Sequence, residues 1–238
     1  MTLLDICQAA ADEVDMLRPA TIAGNAAPEA QKFFRYANKV GSRLMRAHCW
    51  QALRKQRTFS ALGQEEQTGA LPDDFDRFVA QTFWNFGTNR LVSGPISAVE
   101  WQGLRAVSSS DTYLNPKFIY RGGVVSIFPA PASGDSMVFE YVNKNWATSS
   151  GDVDQAKFVV DTDVSKFDED LIIAGVVFEW LEGEGQPSRV AAGQYQSLLE
   201  ELVGNDEPTP GILSAGDIFG PGRHFDGTPP VRNIGSLF

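Results

Sequence analysis

Histidine is the side chain whose ordinary pKa suits general acid and base work near neutral pH, and this 238-residue chain has two, His48 and His224. His48 stands beside Cys49 and Trp50 within a helical pattern. His224 lies in a Gly/Pro-rich stretch with no rigid scaffold to hold a catalytic geometry. A Ser-His-Asp or Cys-His nucleophilic site is therefore not expected. Asp73, Asp74 and Asp76 have the chemistry to pair as carboxylates or hold a divalent metal, but with Pro72 they also have the composition of a turn, which explains them better. Asp161, Asp163, Ser165 and Asp168 invite a calcium reading, yet Lys166 stands where that loop needs glycine and Ile172 where it needs a bidentate glutamate. Capping is the expectation there. Gly122-Gly123 lacks the helix and lysine of a phosphate loop and reads as a hairpin turn. No catalytic residue, metal ligand or cofactor site is expected. Cys7 and Cys49, on separate helical patterns without CxxC spacing, read as buried thiols and not as a disulfide.

The elements that carry these residues are helices on either side of a β-rich middle. Thr2 and Asp5 have capping-box spacing, and Leu3, Ile6, Ala10, Val14 and Leu17 predict a helix of about four turns closed by Pro19. Pro28 opens a longer helix with Phe33, Ala37, Val40, Leu44 and Ala47 on one face. The chain leaves that helix for the β-rich part between residues 59 and 70. A strand is expected around 81–85, and Ser97 with Glu100, stapled by Ile96 and Trp101, starts a short helix. Residues 117–146 show the two-residue period three times running: Phe118 and Tyr120, then 124–128, then Met137, Phe139 and Tyr141 opposite Val138, Glu140 and Val142. This predicts a β-meander, with one more short strand at 158–160.

A second helical half is predicted from Ser165, with the stripe Phe167, Leu171, Ala174, Phe178 and Leu181. After a break at 182–187 it resumes over 188–203 with Tyr195, Leu198, Leu199 and Leu202, and Gly204 ends it. From 205 onward prolines and glycines replace periodicity and describe an extended arm. The predicted fold class is α+β: an antiparallel helical bundle (1–58 and 164–204) with an inserted antiparallel β-rich module (59–163) and an extended C-terminal arm (205–238).

The net charge of −10 argues against non-specific coating of nucleic acid, which depends on cations that displace phosphate counterions. No apolar run approaches the roughly 20 residues of a membrane span, and the acidic first residues lack the basic start of a signal peptide, so neither export nor a membrane is expected. The charge is segregated. Lys32, Arg35, Lys39, Arg43, Arg46, Arg54, Lys55 and Arg57 follow one another with no acid among them, whereas Asp168, Glu169, Glu179 and Glu182 belong to an acidic C-terminal half. The basic face has three possible uses: a solvated surface, a partner for an acidic surface on a neighbouring chain, or a contact to nucleic-acid phosphate.

At LPDDFDRF, taken with FFRYANKVGSRLMRAHCWQALRKQRTF before it and GPISAVEWQGL after it, the sequence resembles the head-to-tail connector adaptor proteins of tailed bacteriophages, of the tail accessory or tail tubular A-like kind. YRGGVVSIFPAP, FEYVNKNW and DTDVSKFDEDLIIAGVVFEWL continue the likeness in order, so that it covers about residues 2–204. The resemblance implies a structural protein of the virion, made in the host cytoplasm and placed at the head-tail junction. It implies a homo-oligomeric ring, commonly a dodecamer, that binds the portal and a downstream tail protein, with DNA passing through its channel without sequence-specific binding, and no catalysis. A ring interface needs two different complementary patches per subunit. The candidates are Lys32, Arg35, Lys39, Arg43 and Arg46 against Asp168, Glu169, Glu179 and Glu182. The arm is not part of the shared pattern, and its spaced apolar residues Ile212, Leu213, Ile218, Phe219, Phe225, Val231, Ile234, Leu237 and Phe238 are candidate anchors on the portal or a neighbour. The alternative is a small-ligand-binding protein or metal-dependent enzyme with an acidic pocket around Asp73 to Asp76.

Overall fold

The first helix begins where its capping residues put it. In the computed structural model, which describes residues 1–106 and 115–206, the Thr2 hydroxyl accepts from the Asp5 amide and the Asp5 carboxylate accepts from the Thr2 amide at 3.0 Å. Helix α1 (Leu3–Glu13) buries Leu3, Ile6, Cys7, Ala10 and Ala11. It is shorter than its apolar stripe suggests: Val14 caps it, Asp15 turns with φ of 54°, and Leu17 is left 93% exposed. Helix α2 (Pro28–Ala47) buries Phe33, Ala37, Val40 and Leu44, while Ala47 is exposed in the last turn.

His48 takes an extended conformation and ends α2, so it is a helix-terminal residue and not a mid-helical one. After a single 3-10 turn, Gln51–Leu53, the chain enters strand β1 (Arg54–Ser60). Arg54, Lys55 and Arg57 therefore lie on a strand and do not prolong the basic helix. The two-residue period is visible in its burial, with Lys55, Arg57 and Phe59 half-buried and Gln56, Thr58 and Ser60 exposed.

The strands that follow are β2 (Glu66–Gln67), β3 (Phe75–Phe78), β4 (Trp84–Asn85) and β5 (Arg90–Leu91). The Ser97–Glu100 capping box then opens α3 (Ala98–Ala106), whose Trp101 is buried against Ile119 and Phe128, with Ile96 packed on them. Strands β6 (Lys117–Arg121) and β7 (Val124–Phe128) form the expected hairpin, with Gly122 and Gly123 at φ of 56° and 82°. The three-strand meander is not formed. The second neighbour of β7 is β2, while β8 (Ser136–Asn143) lies in another sheet, ordered β1-β8-β4-β5, with β3 also on β8. Alternation marks a strand but not its neighbour, and the segment from Pro129 to Asp135 carries the chain between sheets. β8 joins two cores: Met137, Phe139 and Tyr141 pack with Phe83, Phe118, Val125 and Ile127, while Val142 belongs to the helical core.

A small sheet, ordered β10-β9-β11, is made of β9 (Ala147–Thr148), β10 (Asp154–Gln155) and β11 (Val164–Ser165). The expected strand at 158–160 is absent, because Phe158 turns into the helical core: it packs edge-on against Trp146 at 4.8 Å, and its N–H donates to the Asn38 side chain at 2.8 Å. Gly41 of α2 lets the Trp146 ring approach, since a Cβ there would lie 2.2 Å from it.

Helix α4 (Glu169–Gly183) is capped by Asp168, whose carboxylate accepts from the Leu171 amide at 3.2 Å. It is buried on most sides and not along one stripe: Ile172, Ile173, Val176, Val177 and Trp180 are buried with Leu171, whereas Ala174, Phe178 and Leu181 are only half-buried. The reason is that α1, α2 and α5 (Arg189–Asp206) all pack on it. α5 runs through Gly204, which was expected to end it, and fully buries Ala191 alone; Tyr195, Leu198, Leu199 and Leu202 are half-buried against the core. The described residues are thus mixed α+β, with five α-helices and antiparallel sheets. The link at 107–114 and the predicted arm beyond Asp206, with all its candidate anchors, lie outside the described residues.

Candidate subunit-contact surfaces

Helical spacing of three and four places Lys32, Arg35, Lys39, Arg43 and Arg46 along one side of α2. Part of that side is used within the chain. Lys39 Nζ is 2.5 Å from one Glu179 oxygen and Arg43 bonds the other. Glu179 is only 3% exposed, and its carboxylate tolerates burial because two cations meet it at the rim. Lys32 pairs with Glu184 and lies 5.5 Å over the Trp180 ring; the hydrogen bond to Glu184 raises its pKa.

The structure therefore brings Lys39 and Arg43 together with Glu179 inside one subunit. It leaves Arg35, Arg46 and Glu182 exposed, and these three make no ion pair among the described residues. Arg35 keeps its guanidinium 5.4 Å from the Tyr36 ring. Asp168 is occupied as a cap, and Glu169 pairs with the Met1 amino group.

In the β-rich part Asp73 is exposed and only its backbone carbonyl is used, accepting from Lys144 Nζ, while the carboxylates of Asp74 and Asp76 are each held separately. Asp74 accepts from Tyr141 Oη at 2.9 Å and from Lys55 Nζ at 3.1 Å, and Asp76 pairs with Arg77 at 2.7 Å. Lys55 also reaches Asp154 at 2.8 Å, and Asp154 pairs with Lys166 at 2.5 Å. Burial works to raise the Asp74 and Asp154 carboxyls, but these hydrogen bonds outweigh it and hold both below the ordinary Asp range. The bond to Asp154 raises Lys55, and burial with the Asp74 bond pushes the Tyr141 phenol up to about 12. The network ties β1 to the turn before β3 and to β10. Asp161 accepts from the Ile22 and Ala23 amides, the latter at 2.7 Å, and buried Asp163 accepts from those of Val159 and Val160, the latter at 2.9 Å. Asp163 caps its own turn, as expected, whereas Asp161 caps a turn some 139 residues away, a pairing the local reading does not contain. No group of three or more His, Cys, Asp or Glu suited to a metal ion occurs among the described residues.

One clasp was not foreseen. His48 Nε2 lies 3.1 Å from Asp206 Oδ2, and the Gln51 amide donates to the same carboxylate at 3.0 Å. The end of α5 is thereby fastened three residues before the start of β1. Sequence carries no signal of a contact between residues so far apart in the chain. Burial raises the Cys7 thiol to about 12, and both cysteines are free.

No curated protein matches the chain. A family model described as SU10 adaptor protein matches residues 1–213. The chain belongs to that family, which is one of bacteriophage structural head-to-tail adaptors and not of enzymes.

Proposed function

We propose, from that membership, that the chain forms a ring of identical subunits joining the portal to the tail at the head-tail junction of the virion, around the channel through which DNA passes. The family match over residues 1–213 carries this reading. The ring is a dodecamer of the tail tubular A-like kind, with residues 1–58 and 164–204 as its helical bundle, 59–163 as the inserted module, and 205–238 as an arm that docks on another chain. A chain of net charge −10 gives passing DNA no electrostatic reason to stick.

Because Glu179 is occupied within its subunit, ionic contacts between copies run from Arg35 and Arg46 of one copy to Glu182 of the next. Exposed pairs contribute only about 0–1 kcal/mol each and are screened by salt, so they matter through repetition around the ring. Native mass measurement of the purified chain, alone and with its portal, tests the function. A species many times 26.0 kDa supports it. A chain that stays monomeric in both samples overturns it.

A further inference from the structure

Strand β1 has an open edge. Among the described residues it pairs with β8 alone, in unbroken register from Arg54↔Val142 to Ser60↔Ser136, and beyond its first residue, whose Arg54 amide donates to the Gln51 carbonyl, no other backbone hydrogen bond reaches it. The outward-facing groups follow from the far side of β8. Glu140, opposite Gln56, accepts from the Val79 amide at 3.0 Å, and its own N–H donates to Thr82 Oγ1 at 3.1 Å, so both of its backbone groups face away from β1. In an antiparallel pair these directions alternate. Gln56 must therefore turn its N–H and C=O outward, as must Thr58 and Ser60, while the Arg54 N–H on that side is already given to Gln51. The Ala61 amide agrees, donating inward to Asp135 at 2.9 Å.

Edges of this length are ordinarily blunted by proline, a bulge or an outward lysine. β1 has no proline and no bulge, and Lys55 is turned inward to Asp74 and Asp154. A surface depression of about 380 Å³ runs beside its first half, lined by Gln51, Arg54, Lys55, Gln56 and Glu140.

We propose that this edge accepts, as an added β-strand, the segment that follows Asp206 in a second copy of the chain. The clasp by His48 and Gln51 holds Asp206, the last described residue, near the head of β1 on every copy. Between Pro210 and Pro221 that segment has a proline-free run, GILSAGDIFG, long enough to match the seven residues of β1. One face of the run is Leu213, Ala215, Asp217 and Phe219. It offers a carboxylate to a strand whose Arg57 has its Nε buried without a hydrogen-bond partner among the described residues. Residues 207–211 can span up to about 17 Å, a lead long enough for the run to reach the edge of an adjoining copy. Donor and edge differ, so the contact is heterologous and closes a ring by rotation.

The inference rests on the self-assembly proposed above, and its test reads the two separately. Full-length chains with p-benzoylphenylalanine in place of Thr58 are mixed with isotopically heavy full-length chains and irradiated, after the mass of the assembly has been recorded. The expected product joins position 58 of a light chain to a peptide within 207–223 of a heavy chain. It is lost with Gln56→Pro, which removes an outward N–H while sparing the bonds to β8, and with deletion of 211–220. Should Gln56→Pro fail to fold, the parent cross-link and the deletion still decide. A ring without this cross-link, a cross-link confined to single chains, or one to another segment overturns the edge pairing and leaves the adaptor reading standing. The absence of any assembly overturns both.

Discussion

Replacing Lys39 and Arg43 together by methionine would strip the cations from a carboxylate that is 3% exposed while leaving the aliphatic cover of α4 in place. Removing the partners of a buried charge costs about 3–5 kcal/mol when both ends are buried. Here the two cations are 45% and 52% exposed, and water already weakens their attraction, so a loss of about 2–3 kcal/mol is expected. For a chain of this size each kcal/mol moves Tm by roughly 2–4 °C, which gives a fall of about 4–12 °C. Circular dichroism melts and urea titration of the same samples supply the measurement. Adding Glu179→Leu removes the stranded carboxylate and should recover most of the loss, since apolar replacement of a buried ion pair is often neutral or stabilising. By contrast Arg35→Glu with Arg46→Glu should leave Tm within about 2–4 °C and weaken assembly. A double methionine variant as stable as the parent, or one that Glu179→Leu does not rescue, would refute the view that these charges serve the subunit first.

Other outcomes follow from the same contacts. The Asp74 and Asp154 carboxyls are depressed, so their contribution to stability is present above the ordinary Asp range and lost as pH falls through their folded values; Lys55 and Tyr141 are raised, so theirs is lost as pH rises, for Tyr141 up to about 12 and for Lys55 above the ordinary Lys range. Tm against pH should show a plateau between these limits, and Lys55→Met should flatten both flanks. Gly41→Ala drives a Cβ into the buried Trp146 ring and should cost about 1–3 kcal/mol, whereas Gly193→Ala in α5, with nothing within 4 Å, should raise stability by about 0.5–1 kcal/mol in the same melts. Truncation after Asp206 should leave a folded subunit that binds portal more weakly, read by light scattering; undiminished binding would dismiss the arm as an attachment device.

What could be read from sequence was local. Thr2 with Asp5, Ser97 with Glu100 and Gly122 with Gly123 each settle their geometry within a few residues, and each is found as expected. Partners across the chain could not be read. β8 was visible as a strand, yet its membership of the β1 sheet depends on a pairing over some eighty residues. Arg54–Ser60 carried a two-residue period at Lys55, Arg57 and Phe59, masked by the basic run continuing from α2. The stripe read on α4 did not mark its buried side, because three helices cover it and burial extends well beyond one face. Glu179 looked like any acid of an acidic half. Only the fold shows that it is buried and already paired, which leaves Arg35, Arg46 and Glu182 as the candidate charges without an ion pair among the described residues.

Symmetry-averaged electron images of the full-length chain mixed with its portal test the adaptor account most directly. The account predicts a closed ring of this chain seated coaxially on the portal, with one helical unit per subunit around an open channel. Portal particles that remain bare, with the chain free in solution, would contradict it.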